Sequence, residues 1–265
     1  MSASTTSSEV PGRKLIPWIC LALLVACRRS PQPVLAFVAV SAAAAIERAA
    51  KSLEVPLVVD ANASSLLAQQ IVRGAKPEIF VSANAEWMDF LEKQGKLEAG
   101  SRRVLFRNAI VLVAKRDPGG DPQGTTRPTT GTRPLDLKEP LALTGRIAIG
   151  DPEHVPLGQY TKRALLALQR WTGVQDDLMP CPDARAVVVA VETGAAAYGF
   201  VYRSDALRSR RLRIVAEIPH EADPQVAYEI AIVQGASARA RDVLTAFASA
   251  EARASFRDSG FDVER

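Results

Sequence analysis

The sequence predicts a two-lobed α/β protein with a cleft between its lobes, and three observations carry that prediction. Strand-like apolar runs and helix-like amphipathic runs alternate in the first third of the chain and again after residue 146, the pattern of parallel sheets wrapped by helices. Long apolar strands join the two alternating units. A loop with two prolines and two glycines, GDPEHVPLGQY at residues 150–160, lies between an apolar run and a helical pattern. Open α/β sheets place their ligands at such junctions, at the carboxyl ends of strands.

Taken in order, residues 34–40 are an apolar run that reads as a buried strand. Ser41 ends it and opens the alanine-rich helix 42–53. A short strand follows at 57–59, then a loop at 60–64 and a helix at 65–73 that Gly74 terminates. Residues 78–82 form a third strand and 85–94 a third helix. Residues 108–114, NAIVLVA, read as one long strand. The Gly/Pro/Thr-rich segment 117–134 reads as a surface insertion. The alternation restarts with the strand 146–150, the loop, a helix over 161–171, a helix over 186–192 and a strand ending at Tyr202. Two strands, 212–218 and 226–233, precede a last helix over 238–258. This assigns 34–110 and 228–265 to one lobe and 111–227 to the other.

The N-terminus stands apart. Arg13 and Lys14 precede a short apolar core at 15–26, too short to span a membrane well, which marks residues 1–26 as a secretory signal. Its end, Leu-Val-Ala-Cys27, matches a bacterial lipobox, so Cys27 is expected to carry lipid, with residues 27–33 as a tether. Loss of the signal takes the formal charge from +4 to +3, because Arg13, Lys14 and Glu9 leave with it. Charges of both signs are interspersed, so no nucleic-acid footprint is implied, and the basic run 208–213 reads as a solvated turn. Cys181 is then the one remaining cysteine, expected to be buried and unreactive, with no internal disulfide.

Catalysis is disfavoured. The chain has two histidines, His154 and His220, and lacks HExxH, GxSxG, a P-loop and a strand-borne GxGxxG. No cation site or cofactor is expected, and His154 is assigned to holding its loop. What the residues do suggest is an anion site. Ser41 and Ser64 stand at helix starts where a hydroxyl can cap and first-turn amides point outward. The 150–160 loop and Pro182-Asp-Ala-Arg185 each lead into another helix, and Tyr202 closes a strand with a phenolic hydroxyl.

The order and spacing of these features, with the GDPxHVPxGxY wording, resemble the periplasmic molybdate-binding proteins of ABC importers over roughly residues 34–263. The resemblance implies a type II periplasmic binding protein, and an oxyanion held by serine and tyrosine hydroxyls and backbone N–H groups without a charged partner. Carried over position by position, it implies hydroxyl donors at Ser41, Ser64 and Tyr202 and backbone donors at Leu157 and Ala184. The family commonly has alanine where Leu157 stands and valine where Ala184 stands, a change that could reshape the cavity wall. It further implies molybdate or tungstate as ligand, a membrane permease as partner, and an exported, lipid-anchored monomer.

A donor-only pocket suits unprotonated dianions and penalises hydrogen phosphate, whose O–H would lack an acceptor. Asp60 and Asp183 lie near the site in sequence; loop hydrogen bonding and helix capping are their expected roles. Sulfate, of the same charge and shape, is the alternative ligand, and a lipid-tethered oxyanion sensor without a transport role is the alternative function. A DNA-binding regulator is disfavoured, since no helix-turn-helix precedes residue 34.

Overall fold

The computed structural model describes residues 32–116, 135–136 and 143–263. The expected signal, Cys27, most of the tether and the 117–134 insertion lie outside them.

Two mixed sheets organise the chain. The first is ordered β2-β1-β3-β11-β4 and the second β6-β10-β5-β9-β7-β8. In the first, β1 (Val34–Ala39) runs parallel to β2 (Leu57–Asn62) and β3 (Ile79–Ser82), and β11 (Val226–Ile232) lies antiparallel between β3 and β4 (Arg103–Asn108). In the second, β7 (Ile147–Gly150) is parallel to β8 (Leu178–Cys181) and β9 (Tyr198–Tyr202). There β5 (Ile110–Lys115) pairs antiparallel with β9 and with β10 (Leu212–Glu217), and β6 (Leu135–Asp136) adds a short parallel edge.

Helices follow the parallel strands almost without linkers. They are α1 (Val40–Ser52), α2 (Ser64–Val72), α3 (Ala85–Lys93), α4 (Pro156–Ala167), α5 (Ala184–Thr193), α6 (Arg203–Arg208), α7 (Arg239–Phe247) and α8 (Ala250–Asp258). The buried alanines of α1 (Ala42, Ala45, Ala49, Ala50) let its backbone lie close to its neighbours. Core strands are nearly all apolar, as in β3 and β7, where every residue is buried.

Four expectations are corrected. The apolar run 108–114 is not one strand: Ala109 breaks it, and β4 belongs to one sheet while β5 belongs to the other. Asn108 makes the break, because its Oδ1 accepts from the Ala109 N–H at 2.9 Å and its Nδ2 donates to Ser204 Oγ at 2.9 Å. The return passage runs through residues 218–225. Second, 60–62 is strand rather than loop, with Asp60 exposed on β2. Third, the helix after the 150–160 loop begins at Pro156, five residues early, because proline at the first helical position has its φ already set. Fourth, the final helix is two: Ser249 caps α8 by accepting from Ala252 N–H at 3.1 Å, which starts a new axis without glycine or proline.

A small neutral cavity between the two sheets

The carboxyl ends of β1, β2 and β3 face those of β7, β8 and β9, and one small cavity lies between them. It is lined by Ala39, Val40 and Ser41 at the start of α1; Asn62, Ala63 and Ser64 at the start of α2; and Ala83 after β3. From the second sheet come Val155, Pro156 and Leu157 at the start of α4, Ala184 at the start of α5, and Tyr202 at the end of β9. All the residues singled out in the sequence as hydroxyl or amide donors therefore line it together. Its room, as traced by the centre of a water molecule, is about 10 Å³.

Among the described residues, no charged side chain lines the cavity. Its polarity comes from hydroxyls and from helix first turns, whose amides have no partner within the helix and carry the positive end of the helix dipole. Pro156 occupies the first position of α4 and has no N–H, which makes the Leu157 amide the first one α4 can offer. Leu157 is fully buried and Ala184 nearly so, so these amides face no bulk water.

The loop before α4 owes its shape to named contacts. Asp151 N–H donates to Cys181 O at 2.8 Å, tying the loop to β8, and Asp151 Oδ1 accepts from Glu153 N–H at 2.8 Å. A Cβ on Gly158 would lie 1.9 Å from Gly150 O, and one on Gly150 would lie 2.9 Å from Gly158 N. Both glycines are required because the start of α4 rests directly on the end of β7. His154 does not hold this loop as expected: its side chain is 65% exposed, with Nδ1 3.6 Å from Asp151 Oδ2. Asp151 does that work.

Neither serine caps its helix, also contrary to expectation. Ala39 and Ala63 occupy the cap positions. The Ser41 hydroxyl instead meets the Tyr228 hydroxyl at 2.8 Å, and Ser64 Oγ accepts from the Ala83 N–H at 3.1 Å. Tyr202 is 1% exposed, and its hydroxyl, although near that of Tyr228, has no partner that meets hydrogen-bond geometry. A buried phenol without a partner is costly, which marks it as a donor awaiting an acceptor. Burial, with Tyr228 and Tyr160 beside it, holds the Tyr202 phenol well above its ordinary pKa, so it stays a neutral donor. Asp183 caps α5, its Oδ1 accepting from Ala186 N–H at 2.8 Å, and neither Asp60 nor Asp183 lines the cavity. Cys181 is buried and free, and burial raises its pKa with help from Asp183.

Tyr228 and Asn108 were not singled out in the sequence. Their only signal was a polar residue within an apolar strand pattern, which ordinary packing explains equally well. Contacts also bridge the sheets in front of the cavity. Asn84 Nδ2 donates to Gln159 Oε1 at 2.9 Å, and Arg163 pairs with Glu86 at 2.8 Å while lying over the Tyr160 ring.

Residues 23–262 match the bacterial extracellular solute-binding protein family, and the chain belongs to that family of binding proteins, which are not enzymes. Two relatives narrow the likeness. The molybdate-binding protein ModA of Escherichia coli is 35% identical over 70% of this chain and 69% of its own. That of Haemophilus influenzae is 34% identical over 76% of each. Among solved structures, the periplasmic molybdate-binding protein of Azotobacter vinelandii superposes with a TM-score of 0.72 over 88% of this chain and 100% of its own, at 19% identity. The sulfate-binding protein SubI of Mycobacterium tuberculosis superposes with a TM-score of 0.69 over 88% and 87%, at 13% identity. The fold is thus common to receptors named for different anions.

Proposed function

We propose that this protein is the substrate-binding lipoprotein of an ABC importer and captures molybdate or tungstate between the two sheets. The observation that carries this reading is the cavity itself. Four helix first turns, two serines and a buried phenol without a hydrogen-bond partner converge on it, with no carboxylate and no cationic side chain among the described residues. Ser41, Ser64 and Tyr202 act as hydroxyl donors, and Leu157 and Ala184 as backbone donors. Desolvating a dianion is tolerable only when its oxygens are all paired, and donors from two sheets supply that. The absence of an acceptor carboxylate disfavours hydrogen phosphate.

The two sheets act as cores of two lobes that hinge at Ala109 and residues 218–225 and close over the anion. The closed form is what a membrane permease recognises. Cys27 anchors the exported protein to the membrane by its lipid, and the protein works as a monomer.

Calorimetric titration of the ligand-stripped protein lacking its first 27 residues tests this reading. Tight binding of molybdate and tungstate, with none of sulfate or phosphate, is expected. Preference for sulfate would move the substrate while keeping the site, and no oxyanion binding at all would refute the reading.

A further inference from the structure

Each serine at the cavity has a protein partner on the side away from it. For Ser64 the direction is fixed: its oxygen accepts from the Ala83 N–H, so its proton is left for the cavity. For Ser41 geometry alone leaves two choices, because either oxygen of the Ser41–Tyr228 pair can donate. If Ser41 donated, it would show only lone pairs to the cavity and repel an anion. If Tyr228 donates, the Ser41 proton faces the cavity.

The surroundings of Tyr228 decide between them. It does not line the cavity; it lies on β11, fully buried, with its ring among Phe106 at 5.0 Å, Phe261 at 5.4 Å and Tyr202 at 5.6 Å. Three polar side chains stand close to its oxygen: Ser41, Asn108 and Tyr202. Asn108 Oδ1 is engaged by the N–H groups of Ala109 at 2.9 Å and Ser204 at 3.4 Å, so Nδ2 is the side that faces Ser204 Oγ and Tyr228. Asn108 can therefore only donate toward Tyr228, and of the two hydroxyls beside the phenol it is Ser41, at 2.8 Å, that meets it with hydrogen-bond geometry, while Tyr202 does not. A phenol is also a stronger acid, hence a better donor, than a serine hydroxyl.

We propose that Tyr228 is a positioning residue for oxyanion recognition: by donating to Ser41 Oγ it commits the Ser41 proton to the ligand, and with Asn108 behind it makes this corner of the cavity donor-only. The proposal rests on the oxyanion reading above. It makes Tyr228 a determinant of specificity, since a Ser41 free to rotate could accept from a protonated anion. Asn108 is the residue that breaks the strand between the sheets, so the chain Asn108–Tyr228–Ser41 also ties the crossing point to the site.

The test is a double-mutant cycle read by calorimetry with molybdate and with inorganic phosphate. Tyr228→Phe keeps the ring and removes one oxygen. It is expected to weaken molybdate about tenfold, the worth of one hydrogen bond to a charged group, and to narrow the preference for molybdate over phosphate. In a Ser41→Ala background the same change is expected to cost less than about twofold, because the residue it acts through is gone. Equal losses in both backgrounds, or no loss in either, would overturn the role of Tyr228 and leave the site reading intact. A wild-type protein that binds no oxyanion, or a Ser41→Ala variant that binds as wild type, would overturn the site reading and this proposal with it. Should Tyr228→Phe fail to unfold cooperatively, NMR of the wild-type molybdate complex decides: a slowly exchanging proton on the Tyr228 oxygen directed at Ser41 supports the proposal, and a serine proton in that position refutes it.

Discussion

Ser41 stands second in its helix and Ser64 first, and both hydroxyls are held from behind by partners far away in sequence, Tyr228 and Ala83. Truncating a donor to a buried anion leaves one ligand oxygen short of a partner. Ser41→Ala and Tyr202→Phe are each expected to weaken molybdate binding by about 1–3 kcal/mol, measured by calorimetry. Unchanged affinity in both variants would dismiss the assigned donors. Asp205, three residues beyond the end of β9 at Tyr202, offers a second test. It is 5% exposed, and burial pushes its carboxyl up to about 7 even though Arg208 lies 2.6 Å away, because the arginine is half in solvent. The folded state thus keeps a proton that the unfolded chain, near 3.8, gives up. Stability from this group is full below about pH 4 and is lost as pH rises to about 7. Thermal unfolding of wild type is expected to show that decline between about pH 4 and pH 7, and Asp205→Asn to lack it.

At the scale of the element, the start of α4 is the part with least tolerance. Gly158 packs on the carbonyl of Gly150 with no space for a Cβ, whereas a Cβ on Gly173, in the turn beyond α4, meets nothing within 4 Å. Gly158→Ala must push α4 away from β7 and carry the Leu157 amide with it. A loss of about 2–4 kcal/mol in denaturant unfolding is expected, together with weaker anion binding. Gly173→Ala is the control and should change neither. Equal behaviour of the two variants would show that the contact between β7 and α4 is not needed to place the amide.

For the whole molecule, the contacts that bridge the sheets in front of the cavity are expected to influence ligand release. The Glu86–Arg163 pair is about half exposed on both sides, so its Coulomb energy is screened and its worth lies at about 0–1 kcal/mol. Arg163 also covers Tyr160, whose phenol burial pushes up to about 12 against the opposing pull of the Ala227 backbone. Arg163→Ala is expected to speed ligand release less than about tenfold in stopped-flow measurements, with the difference shrinking at high salt. A larger, salt-independent effect would mean that this arginine does more than bridge the sheets.

Much of this protein was legible in residue order. Periodicity located the strands and most helices, since burial on one face writes itself into local sequence. The glycines and prolines of the 150–160 loop announced a junction, since only such residues fit a helix resting on a strand end. That Ser41, Ser64, Leu157, Ala184 and Tyr202 would line one cavity could be expected because each sits at the end of a readable element, and the family resemblance supplied the grouping that spacing alone did not. Tertiary structure alone decided the rest. It broke the apolar run at Ala109, because Asn108 finds Ser204 across 96 residues of chain. It divided the last helix through a serine cap that local composition does not distinguish from a surface serine. It gave Ser41 to Tyr228 rather than to its own helix end, across 187 residues. Hydrogen-bond direction in a buried site depends on which groups folding brings to the same place, and one-dimensional order holds no record of that.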